Sequence, residues 1–320
     1  MSVAGNESHA QPAESHGVVV GVDGSEPSRA ALDWAAQAAV HRGVGLTVLY
    51  AMSMPLIATP FGHPTRVTPT PEVADRASTL LNSAVEHVKT AHPHLSVHTQ
   101  LSEIEPAPAM LAAAKHADLV VVGSRGHGGA ASLFLGSVSV RLASHAACPV
   151  VVVPPDSTTL HQPRGRVVVG VDGSAASATA LRFALEEAAL RDADLTALRA
   201  WQPAVPFDPM ELAAVEYTVD RESLVARATK YVHTIVEEAR SEATRSVPVH
   251  VVMVEEHPAQ ALLTESHTAD LIVVGSRGRG GFRGLLLGSV SQAVLHHAAV
   301  PVMVTRADVE SAHEAEPPSE

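Results

Sequence analysis

The sequence predicts an α/β protein of two tandem domains, each built on a five-stranded parallel sheet. Three observations predict it. The segment Asp118 to Val153 returns as Asp270 to Thr305, and without a gap roughly 22 of its 36 positions are identical, which marks an internal duplication. In each copy a β-branched run with no polar alternation, Val120-Val121-Val122 and Ile272-Val273-Val274, reads as a strand buried on both faces of a parallel sheet. Strand-like and helix-like segments also alternate in the same order in both copies, the pattern of βαβ units whose crossovers are right-handed.

Gly17 to Val22 reads as the first strand and ends at Asp23-Gly24-Ser25. Ser25 is placed to cap the next helix, with Pro27 in its first turn. Ala31, Leu32, Ala35, Ala38 and Ala39 then fall on one helical face. Leu46 to Ala51 is the second strand. Met52 to Pro71 follows, with five prolines and no periodicity, and reads as a long irregular loop. A helix is expected over Glu72 to Ala91, a strand over Leu95 to Leu101 and a short helix over Pro106 to His116. The duplicated segment comes next and closes on Val150 to Val153.

Residues 155–165, rich in proline and polar side chains, read as a linker between a first domain at 17–154 and a second at 166–306. Asp23 maps to Asp172 at an offset of 149, but Gly123 maps to Gly275 at 152, so three residues enter the second copy between them. Trp201 to Tyr217 stands where the first copy has its proline-rich loop. Residues 1–16 and the acidic 307–320 read as disordered ends.

Composition narrows the function. A formal charge of −12 disfavours nucleic acid and anionic membranes as partners. The polar amino terminus has no signal-peptide core and no apolar run approaches a membrane span, so a cytoplasmic protein is expected. The single cysteine, Cys148, aligns with Val300 and reads as a small buried hydrophobe. Nineteen histidines are scattered without a metal-ligand spacing; His145 and His297, at equivalent places, read as helix-end residues.

The chemistry concentrates in the duplicated loop. Gly123 and Gly126, and again Gly275 and Gly278, follow the buried strand, where a missing Cβ lets backbone approach a ligand. Gly136-Ser137 and Gly288-Ser289 open a helix, with the serines expected as N-caps and the helix N–H groups favouring an anion such as phosphate. Arg125 and Arg277 add positive charge. The competing reading is a glycine-rich connection without a ligand. No Walker-type loop is present, and a dinucleotide fingerprint fails because Ala131 and Arg283 stand in place of its last glycine.

The spacing G-x2-G-x9-G-S after a buried strand, together with GVDGS at 21–25 and 170–174, resembles the ATP-binding pattern of the universal stress protein family over nearly the whole chain. The resemblance implies strand order 3-2-1-4-5 in each domain, pairing of the two domains through their last strands, and ATP as the bound cofactor, with Mg2+ left open. It implies a first site at Gly21, Asp23, Ala51, Val122, Gly123, Ser124, Arg125, Gly126, His127, Gly128, Gly129, Gly136, Ser137 and Val138. The second comprises Gly170, Asp172, Ala200, Val274, Gly275, Ser276, Arg277, Gly278, Arg279, Gly280, Gly281, Gly288, Ser289 and Val290. Asp23 and Asp172 would accept bonds from ribose or base, or else bond their own turn.

The expected role is a non-enzymatic, ATP-dependent regulator in stress response or growth control. No nucleophile–base pair stands out from spacing. The alternatives are an ATP-hydrolysing or adenylating enzyme on a related fold, and a scaffold that binds a cyclic nucleotide. The expected partner is an adenine nucleotide; self-association as a homodimer and an unidentified protein partner stay open.

Overall fold

The computed structural model describes residues 17–52, 54, 56–57, 65–66, 69–126, 135–158, 163–202, 221–279 and 286–307. The first half contains β1 (Val18–Val22), α1 (Glu26–Arg42), β2 (Leu46–Ala51), β3 (Leu56–Ile57), β4 (Thr65–Arg66), α2 (Pro71–Ala91), β5 (Val97–Ser102), α3 (Pro106–Ala113), β6 (Leu119–Gly123), α4 (Ser137–His145) and β7 (Val150–Val153). The second contains β8 (Arg166–Gly170), α5 (Ala175–Arg191), β9 (Asp194–Trp201), α6 (Arg221–Ala239), β10 (Val249–Glu255), α7 (Pro258–Ser266), β11 (Leu271–Gly275), α8 (Ser289–His297) and β12 (Val302–Thr305).

All the strands but β3 and β4 form one 10-stranded sheet in the order β10-β9-β8-β11-β12-β7-β6-β1-β2-β5. Each half is therefore a parallel sheet of order 3-2-1-4-5, as the resemblance implied. The halves join where β12 pairs antiparallel with β7, Val302 opposite Val152 and Val304 opposite Val150. That pairing covers two apolar edges that would otherwise invite aggregation.

The inner strands bury both faces because their side chains alternate between two helical layers, while β5 and β10 at the sheet ends stay partly exposed. Val18 and Val20 point to one cluster, with Ala35 of α1 and Ala184 of α5; Val19 points to the other, with Leu142 of α4. With few aromatics the layers rest on Val, Leu and Ala, and each fully buried Val or Leu contributes about 1.5–3 kcal/mol.

Helix entry and exit follow the local sequence. Ser25 Oγ accepts the Ser28 N–H at 3.3 Å and Ser174 Oγ accepts the Ser177 N–H at 3.2 Å, the N-caps expected of serine there. α1 stops at Gly43 in the left-handed region, φ 64°, and α5 stops the same way at Asp192, φ 51°.

Several expectations need correction. The strand expected over Leu95 to Leu101 begins at Val97, and Leu95 is instead buried in the turn before it. The helix expected to reach His116 ends at Ala113. The irregular Met52 to Pro71 loop contains the antiparallel pair β3 and β4, Leu56 opposite Arg66. The linker begins with a 3-10 turn, Pro155–Thr158, packed on α1, in which Ser157 Oγ donates to the Pro154 carbonyl at 2.9 Å. The three inserted residues lie between β2 and β5: Leu46 and Leu195 keep the offset of 149, but their sheet partners Val97 and Val249 are 152 apart. The ends read as disordered, most of Trp201 to Tyr217, and His127, Gly128, Gly129, Gly280 and Gly281 lie outside the described residues.

Candidate functional site

In each half the strand order reverses between its first and fourth strands, and α/β sheets form a ligand crevice past the C-terminal strand ends at such a point. In the second half this crevice is a cavity of about 550 Å³. Every described member of the site expected there lines it except Ser276. Sequence reasoning missed its apolar wall, chiefly Leu198 on β9, Leu262 on α7 and Leu287 ahead of α8. Leu198 had a signal, since it lies two residues before Ala200 and so on the same strand face.

The glycines have a packing role that the spacing did not reveal. A Cβ on Gly123 would come within 2.7 Å of the Pro27 carbonyl oxygen, and one on Gly275 within 2.9 Å of the Ala176 backbone. These two glycines therefore let α1 and α5 press against β6 and β11. A Cβ on Gly126 or Gly278 would overlap Oδ2 of Asp23 or Asp172, so these positions make room for a carboxylate. Gly21 and Gly170 face Met110 and Leu262, at 3.1 and 3.2 Å from a built Cβ. The backbone still borders the crevice, but packing within the protein also demands these glycines.

Both aspartates adopt the turn reading and extend it. Asp23 Oδ1 accepts the Ser25 N–H at 2.9 Å and its hydroxyl at 2.5 Å. Asp172 Oδ1 accepts the Ser174 N–H at 2.9 Å and its hydroxyl at 2.6 Å, while Oδ2 accepts the Arg279 N–H at 2.9 Å. Burial pushes the Asp172 carboxyl up, but hydrogen bonds from Ser174 and Arg279 outweigh it and hold the group below its ordinary value. The carboxylate thus pins the glycine loop after β11 to the turn after β8.

Ser137 and Ser289 are not N-caps. Gly136 and Gly288 hold that place in extended conformation, φ −62° and −71°, and the serines are the first helical residues. Two residues on, Ser139 Oγ donates to the Gly123 carbonyl at 2.8 Å and Ser291 Oγ to the Gly275 carbonyl at 2.6 Å, tying each helix start to its strand. Ser124 and Ser276 are buried and brace the loop through their backbones, each carbonyl accepting the Gly136 or Gly288 N–H at 2.8 Å. Beside α8 the first-turn N–H groups of Ser289, Val290 and Ser291, which a helix leaves without intrahelical partners, border the cavity with Arg277 and Arg279. That end suits an anion, and the leucine wall suits a flat apolar group.

In the first half Arg125 and Gly126 are exposed at the matching loop, and Ala51, Val122 and Val138 lie around the apolar cluster under it. Cys148 is partly buried, and burial pushes its thiol up to about 12, as suits an inert side chain. His145 Nδ1 lies 3.0 Å from the Arg141 carbonyl at the end of α4, the helix-end place expected of it. Among the described residues no group of histidines, cysteines and acids is placed to hold a metal, and no helix is long and apolar enough to cross a membrane.

The comparisons agree with this architecture. Universal stress protein Rv2005c of Mycobacterium tuberculosis is 38% identical over 306 residues, covering 92% of this chain and 99% of that protein. Universal stress protein Rv1996 of the same organism is 36% identical over 311 residues, covering 91% and 95%. A universal stress protein from Archaeoglobus fulgidus superposes with a TM-score of 0.63 at 21% identity, covering 92% of this chain and 98% of that one, a likeness of fold. The model of the universal stress protein family matches twice, over residues 15–154 and 163–306. With its duplicated glycine loops and its two five-stranded halves, the chain belongs to the universal stress protein family, in tandem two-domain form.

Proposed function

We propose that the chain is a nucleotide-dependent regulator that holds one adenine nucleotide, ATP, in each half and acts by binding it. Membership of the universal stress protein family supports a role in stress response. The observation that carries the nucleotide reading is the cavity of about 550 Å³ whose two ends differ in chemistry. Its volume is that of an ordinary small-molecule site. Leu198, Leu262 and Val274 would take the base, the α8 N-terminus with Arg277 and Arg279 would take phosphate, and Asp172 lines the same cavity.

Asp172 also supports binding over turnover. Its carboxylate is occupied by three hydrogen bonds to its own loops and is held below its ordinary value, the opposite of a poised general base. The binding units would be residues 17–154 and 166–306.

Mass spectrometry of nucleotide released from the denatured, purified protein tests the ligand. Calorimetry on stripped, refolded protein tests the number of sites. ATP at up to two sites is expected. No ATP binding to the folded chain, a preference for a cyclic nucleotide, or steady release of ADP or AMP would each replace this reading with another.

A further inference from the structure

The seam between the halves contains an asymmetry that the duplication exposes. Arg42 ends α1 and Arg191 ends α5, and the offset of 149 makes them counterparts. Both converge on Glu187 of α5, whose side chain is only 1% exposed. Arg42 Nη2 bonds Glu187 Oε1 across the seam, and Arg191 Nε bonds Oε2 at 3.0 Å. Arg191 also crosses the seam, its guanidinium 4.8 Å from the ring centre of Trp34 on α1.

Two related arginines thus share one carboxylate. The counterpart of Glu187 is Ala38, and that of His41 is Leu190. The α1 surface brings Arg42 and His41 and no acid; the α5 surface brings the acid. The strand pairing beside them discriminates little, because the residues that meet, Val150, Val151 and Val152 with Val302, Met303 and Val304, are all apolar and buried. Strand chemistry alone would join any half to any half.

We infer that Glu187 selects the partner of the first half: the α1 and β7 face accepts a second half of this chain and rejects another first half. In a pair of first halves, each Arg42 would be desolvated where Glu187 now stands, opposite Ala38. A repulsive or unpaired buried charge of this kind is how closely similar partners are told apart. A pair of second halves keeps its balance, since each Glu187 would meet its mate's Arg191 where it now meets Arg42. The selection has an order: first with second is favoured, second with second is tolerated, first with first is excluded. It favours each duplicated chain pairing with itself and stops chains linking through their first halves.

A protease site inserted within 159–162 of the full chain tests this. After cleavage of the folded protein, native mass spectrometry follows how the halves redistribute. Mixed pairs should persist in the parent, with first-half pairs absent. Glu187→Gln keeps the shape and removes the charge, and should raise the share of first-half pairs at least tenfold. Arg42→Gln, which removes the cation instead, should do the same and keeps the test open if Glu187→Gln does not fold. A statistical mixture of pairs from the parent, or variants that redistribute as the parent does, would overturn the inference. So would variants that dissociate without forming like pairs, since Glu187 would then be adhesive and not selective.

Discussion

The Oδ2 atom of Asp172 fills the space that a side chain on Gly278 would need, and it accepts the N–H of the next residue, Arg279, at 2.9 Å. Asp23 Oδ2 fills the corresponding space at Gly126 in the first half. A Gly278→Ala change should therefore expel the carboxylate and loosen the loop, costing about 1–3 kcal/mol of stability as well as nucleotide affinity in that half. The test is a cycle with Asp172→Ala. Removing the carboxylate empties the space, so the double variant should be more stable than the sum of the single losses predicts. Additive losses in thermal melts would mean that the two residues do not share this space.

Asp192 stops α5 in the left-handed region, at φ 51°, where its counterpart is Gly43 at φ 64°. Asp192→Gly should raise stability by about 0.5–1 kcal/mol, because only the aspartate carries a Cβ penalty there. Gly43→Ala should cost about 1 kcal/mol, and from conformation alone, since a built Cβ meets nothing within 4 Å. Thermal melts of both variants measure the pair; equal and opposite signs are expected.

His41 is held below its ordinary value of 6.5, by burial first and then by Arg191, with Arg42 and His92 acting the same way and Glu187 opposing them. A base depressed in the folded state is protonated first in the unfolded chain. It leaves stability untouched well above 6.5 and subtracts from it as pH falls through 6.5 toward the lower folded value. His41→Leu, the residue the second half carries as Leu190, should flatten that loss. Denaturation midpoints measured from neutral to mildly acid pH would show it, and unchanged slopes would contradict it.

Cys148, with its thiol pushed up to about 12, should resist alkylation at neutral pH in the folded chain and react once unfolded. Cys148→Val, which copies Val300, should change stability by less than about 1.5 kcal/mol. Rapid modification of the native protein would show that the thiol is more open than its burial implies.

Much of the fold was legible because burial writes itself into simple patterns. Val18 to Val22 and Leu119 to Val122 are strands that no helix period fits, and duplication confirmed each assignment by repeating it. The loop glycines were legible as special positions but not in their purpose. Nothing in the spacing of Gly123 tells that Pro27 will press on it, since that contact depends on how α1 lies across β6. Ser137 was misplaced by one residue because Gly136 takes the extended cap conformation itself. Leu262 and the meeting of Arg42 with Glu187 join elements far apart in the chain, and periodicity describes one element at a time.

The reversal of strand direction between β7 and β12 has a consequence for anything that reads both crevices. The parallel strands of one half finish at the edge of the sheet where those of the other half start. The strand ends at the two points of reversal, β8 beside β11 and β1 beside β6, therefore lie on opposite edges of the sheet, with four strand spacings, about 19 Å, and the length of a strand between them. A divalent ligand with a short tether gains no avidity from this arrangement, because it cannot occupy both points at once. A body large enough to cover one of these points leaves the other, on the far edge of the sheet, uncovered.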